Sequence, residues 1–246
     1  MEGLLDLLHD LQNLLPSSWF EHAHTTFGIS DNDIAQSVQE ASAFFNLNPP
    51  EIIHEDWSTG VMTGMPTTDQ DDILFFNREQ LHNMGIKDKE GFDLIMTHEG
   101  AHRALQGKDL NFSEHQEELC CDYMAGVRAG LNDLDEDKLI SALKDCDGCD
   151  SHPEGAMRVQ AIEQGVAFAH EYYEEHGAPP SFSDCLESFE GSDIYRDATV
   201  EELKGKGGGT GVEEPGKTIK YLKMCPTRHG CQGATYCDNS YGDYPK

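Results

Sequence analysis

The run Thr97-His98-Glu99-Gly100-Ala101-His102 sets two imidazoles four residues apart with a carboxylate between them, the pattern H-E-x-x-H. On a helix that spacing is a little over one turn. Both rings then leave one face about 6 Å apart, as adjacent ligands of a tetrahedral zinc require. Glu99 falls beside them, where its carboxylate can take a proton from a water acidified by the metal and pass it to a leaving amine. Zinc also needs a third protein ligand and one open position. Glu118, sixteen residues beyond His102, is the expected ligand. Asp122, one turn further, is expected to accept the free ring N–H of a ligand histidine and fix its tautomer. Glu117 and His115 stand as competing ligands, although on a helix they point about 100° and 60° away from Glu118. The longer pattern H-E-x-x-H-x-x-G-x-x-H is excluded, because Leu105 and Lys108 occupy its glycine and last histidine positions.

These residues need helices to carry them. Phe92, Ile95, Met96 and Leu105 predict one from about Asp88 to Gln106, with Gly107 placed to end it. Ser113 followed by Gln116 is a capping-box start for a second helix, expected to reach about Gly130, and a shorter one is expected over Asp135–Lys144. Ser151 with Glu154 repeats the signature and opens a helix through Ile162, Val166 and Tyr173 to Gly177. Upstream, Ile34, Val38, Ala41 and Phe45 have helical spacing after a cap at Ser30 or Asp31. Glu51–Trp57 and Asp72–Asn77 read as short strands of a small front sheet. The first ten residues read as an amphipathic helix.

With these motifs in order, the sequence resembles a gluzincin, a zinc peptidase whose third ligand is a glutamate in an E-x-x-x-D segment. Glu118-Leu119-Cys120-Cys121-Asp122-Tyr123-Met124-Ala125-Gly126-Val127 is similar to the E-L-x-A-D-x-x-A-G-V run of bacterial neutral zinc metallopeptidases, with Cys121 where alanine is usual. The Ste24 and HtpX peptidases share the shorter form, and soluble minimal relatives of that group are the better comparison. His152-Pro153 and Arg158-Val159 resemble that group's downstream His-Pro and Arg elements. The resemblance spans roughly Asp31 to His176. It implies an α+β, mostly helical zincin-like domain with an active-site helix and one catalytic zinc on His98, His102 and Glu118. In it Glu99 is general base, His152 steadies the oxyanion and Arg158 steadies the site. It also implies that Ile73–Asn77 lies at the sheet edge and binds peptide by strand addition, with an ordinary core strand as the alternative reading of that run.

The expected organisation is a metallopeptidase domain over 1–204 with its metal core at 88–176, a glycine-rich linker at 205–211, and a Cys-rich tail at 212–246 holding Cys225, His229, Cys231 and Cys237. Cys146-Asp147-Gly148-Cys149 is a lone C-x-x-C pair. It is read either as part of a second, structural zinc site that draws on Cys185 or the tail, or as idle thiols.

Against 17 Lys+Arg stand 46 Asp+Glu, a formal charge of −29 that repels a phosphate backbone and argues against nucleic acid as partner. A peptide or protein substrate is expected, with no membrane span, since no run approaches the roughly 18 apolar residues that would cross a bilayer. Acids stand where a secretory signal carries basic residues. Reduced thiols in the cytoplasm are therefore the expectation, and export by a route needing no signal peptide stays open. The functional expectation is a zinc-dependent endopeptidase. Its alternatives are a zinc-binding pseudo-peptidase or scaffold without turnover, and a secreted protease effector.

Overall fold

A computed structural model describes residues 28–54, 61–64, 73–76, 78–106, 108, 110–148 and 152–198. The amphipathic N-terminal segment, Cys149, Ser151, the glycine-rich linker and the cysteine tail lie outside the described residues.

The described chain is mostly helical. Its elements run α1 (Asp31–Phe44), β1 (Glu51–His54), β2 (Val61–Gly64), β3 (Ile73–Phe76), α2 (Arg78–Asn83), α3 (Lys89–Leu105), α4 (Glu114–Asn132), α5 (Asp137–Leu143), α6 (Gly155–His176) and α7 (Phe182–Gly191). Local chemistry sets the starts. Ser30 opens α1 through a capping box with Asp33, Asp88 opens α3 by accepting from Gly91 N–H, and Ser113 opens α4 through a capping box with Gln116. Gly177 closes α6 in the left-handed conformation, at φ 64°.

Three expectations need correction. Helix α4 does not stop near Gly130 but continues to Asn132, with Asp133 left-handed at φ 54°. Gly130 serves packing there: a Cβ on it would stand 2.9 Å from Val166 O of α6. Helix α6 does not start near Ser151. Glu154 is its N-cap without a side-chain cap bond, and the helix begins at Gly155. Gly155 N–H bonds Cys146 O at 2.8 Å, and a Cβ there would lie 2.4 Å from Leu143 O, so close docking on the end of α5 sets the start. Finally, the three strands pair in the order β1-β3-β2, β1 parallel and β2 antiparallel to β3. Both sides of β3 are therefore engaged, so Ile73–Phe76 offers no free edge to a peptide.

Two apolar cores flank the α3–α4 pair. One joins Ile34, Val38, Leu81, Phe92, Ile95 and Leu139 from α1, α2, α3 and α5. The other joins Leu119, Tyr123, Met157, Ala161, Phe189 and Ile194 from α4, α6 and the C-terminal end of the described chain. Along the crossing of α4 and α6 the backbones touch. A Cβ on Gly126 would lie 2.1 Å from Ile162 O, and one on Gly165 2.1 Å from Tyr123 O. Only glycine permits that approach.

Candidate metal centre

Helix α3 carries His98, Glu99 and His102, and nearly its whole length from Gly91 to Leu105 is buried. A second network fixes it from behind. Thr97 Oγ1 donates to Asp93 O at 2.7 Å and accepts from Arg128 Nη1 at 2.7 Å, and Arg128 Nη2 reaches Glu40 Oε2 at 3.2 Å. Lys89 completes this network, bonding both Glu40 and Asp93. Helix α4 faces α3 and presents Glu118 and Asp122 one turn apart.

His98, His102 and Glu118 form the group that can hold a metal ion among the described residues, with their ligand atoms within 4.8 Å of one another. His98 Nε2 and His102 Nε2 stand 3.1 Å apart, Glu118 Oε2 is 3.5 Å from the first and Glu118 Oε1 3.4 Å from the second. Tetrahedral ligands at about 2.0–2.1 Å from zinc are spaced about 3.3 Å from each other, so the triangle has the right size. The donor chemistry agrees. Both Nδ1 atoms face carboxylates, Asp122 Oδ1 at 2.8 Å for His98 and Glu117 Oε1 at 3.3 Å for His102. Asp122 and Glu117 are each placed to accept a ring N–H, the arrangement that leaves Nε2 for a metal ion. Glu118 Oε2 is buried without a hydrogen-bond partner, which a metal bond would satisfy.

Electrostatics in the metal-free fold point the same way. Burial raises the Glu118 carboxyl, but the His152 and His102 charges and the imidazole hydrogen bonds overcome it and hold it well below the usual range. Burial pushes His98 down, and the charge and hydrogen bond of Asp122 outweigh it, so its pKa is raised; His102 is raised well above its ordinary value. The site therefore takes up positive charge, as protons or as metal.

The remaining expected residues fall as follows. Asp122 does accept from His98, and Arg158 grips it from α6, with Nε 2.6 Å from Oδ2 and Nη2 2.9 Å from Oδ1. Arg158 thus acts through Asp122, although its Nη2 also comes within 3.7 Å of Glu118 Oε2. His152 is buried and places Nε2 3.6 Å from Glu118 Oε1, at the flank of the ligand triangle. Glu99 lines a small hollow with Val38, Leu74, Met96 and Arg103 among its walls, and His98, His102 and Glu118 are not among them. Cys146 is half-buried and its C-x-x-C partner lies outside the described residues, while Cys185 is buried in the second core. Neither belongs to a metal-holding group among the described residues.

Sequence reasoning missed Glu117, which its helical angle set aside as a ligand but which meets His102 from behind. It also missed the Arg128 network. Among the described residues no helix is long and apolar enough to cross a membrane. The chain matches no family model, no curated protein and no solved structure, so its assignment rests on these residues and their geometry.

Proposed function

We propose that the chain is a zinc-dependent endopeptidase of gluzincin type. The observation that carries this reading is the buried His98–His102–Glu118 triangle, built on an H-E-x-x-H helix that also carries Glu99. Three ligands of N, N and O type leave one position open, the arrangement of catalytic rather than structural zinc. When bound, zinc supplies a water acidic enough to ionise near neutrality and a Lewis acid for the scissile carbonyl.

The protein's own groups do the rest. Glu99 takes the proton of the attacking water on its carboxylate and delivers it to the departing amine nitrogen. His152, beside Glu118, donates to the oxygen that becomes negative as the carbonyl is attacked. Asp122 and Arg158 keep His98 in the tautomer that leaves Nε2 for the metal.

A second reading has one observation behind it. His98, Glu99, His102 and Glu118 are each at most 2 % exposed, a degree of closure that suits a zinc-binding scaffold without turnover. Zinc content and cleavage of a broad peptide library separate the two, using wild type, Glu99→Gln and Glu118→Ala. The peptidase reading expects wild type to bind zinc and cleave, Glu99→Gln to bind without cleaving, and Glu118→Ala to lose the metal. Zinc in wild type and in Glu99→Gln with cleavage by neither establishes the scaffold. Equal zinc in all three removes Glu118 from the ligand set.

A further inference from the structure

The two imidazoles are held from behind by carboxylates in unlike settings. Asp122, behind His98, has no exposure and is locked by the Arg158 fork. Glu117, behind His102, has a side chain 19 % exposed and lies 3.3 Å from Nδ1. Helix α4 produces both in one stroke. Glu118 and Asp122 are four residues apart, and Glu117 and Cys121 form the same pair shifted by one residue. Cys121 also meets the His102 ring, but its buried sulfur is only a weak acceptor. Of these two neighbours only the carboxylate is a strong acceptor for a ring N–H.

We propose that Glu117 is a positioning residue of the metal centre, holding the N–H of His102 so that Nε2 faces the ion. The inference rests on the reading of His98, His102 and Glu118 as metal ligands. Its consequence is an asymmetric site. His98 is fixed by a buried, doubly gripped carboxylate and His102 by an exchangeable one, so metal release begins at His102.

The test uses the full chain loaded with zinc. Outer partners of ligand histidines are worth about 10- to 100-fold in metal affinity. Glu117→Ala and Glu117→Met, the latter keeping bulk and helix propensity, are expected to weaken zinc binding at least tenfold by that scale and to speed stripping by a chelator. Glu117→Gln retains a carbonyl acceptor and is expected to stay within about threefold of wild type. The readout that a merely structural role leaves unmoved is the slowly exchanging Nδ1–H proton of His102 in the NMR spectrum. It is expected in wild type and Glu117→Gln and lost in the Ala and Met variants. If both variants bind zinc like wild type and keep that resonance, the positioning role is refuted while the metal centre stands. If wild type itself binds no zinc, the metal centre falls and takes this role with it.

Discussion

Replacing Arg158 by Met tests how the centre holds its charges. Arg158 is fully buried and gives Asp122 two hydrogen bonds, at 2.6 and 2.9 Å, while reaching within 3.7 Å of Glu118. Met keeps much of the volume, so the change is mainly electrostatic. Without the guanidinium, Asp122 keeps the His98 bond but loses its buried counter-charge. Breaking a buried ion pair from one side costs about 3–5 kcal/mol, a large share of the stability of an ordinary domain. The sign with pH is specific. Burial raises the Asp122 carboxyl, but Arg158 and His98 overcome this and depress it in the native protein. Its contribution is therefore present above its unfolded value, about 3.9, and is lost as pH falls through the folded value. In Arg158→Met the carboxyl loses its largest lowering influence and moves up, so the deficit is largest near neutrality and narrows as acid protonates Asp122. Urea unfolding of the zinc-free proteins from pH 7 down to pH 5 measures this. A loss below about 1 kcal/mol at pH 7, the range of a surface pair, would refute the argument. So would a larger loss that did not narrow with acid.

Other consequences are as direct. His98 and His102 are raised in the metal-free fold, so their contribution is full below about 6.5 and is lost as pH rises through their folded values. Melts of chelator-treated protein should therefore weaken on the alkaline side. Zinc affinity should rise over the same interval as the ion displaces protons, and melts with and without zinc check both. Gly126→Ala and Gly165→Ala should each cost about 3 kcal/mol or more by forcing α4 from α6, whereas Gly191→Ala, with nothing near its Cβ, should gain up to about 1 kcal/mol. Denaturant midpoints decide this. Thr97→Val removes the buried acceptor of Arg128 and should cost about 1–3 kcal/mol in the same assay.

What could be read from the sequence was whatever a single helix encodes. Spacing on one helix placed His98 beside His102, and spacing on the next placed Glu118 beside Asp122. Capping chemistry at Ser30 and Ser113 located two of the starts. What stayed hidden depends on how helices meet. Arg158 lies 36 positions from Asp122, and Arg128 lies 31 from Thr97. No local pattern couples such pairs. Glu117 was misjudged because an angle on an isolated helix says where a side chain starts, not how far a flexible carboxylate reaches. The start of α6 is set by its docking on α5 and not by Ser151. The place of β3 between two strands follows from pairing that a run of apolar residues does not disclose.

The glycine contacts between α4 and α6 also decide how the molecule comes apart. With backbone on backbone at Gly126, Gly130 and Gly165, Glu118, Asp122 and Arg158 ride on one slab, while the two imidazoles hang from α3, which Arg128 ties to that slab through Asp93 O and Thr97. The ligand triangle spans the boundary between that slab and α3. If the triangle holds a metal ion as proposed, a shift of α3 against that slab spoils coordination while every helix is still intact, so loss of the ion is expected before loss of helix content.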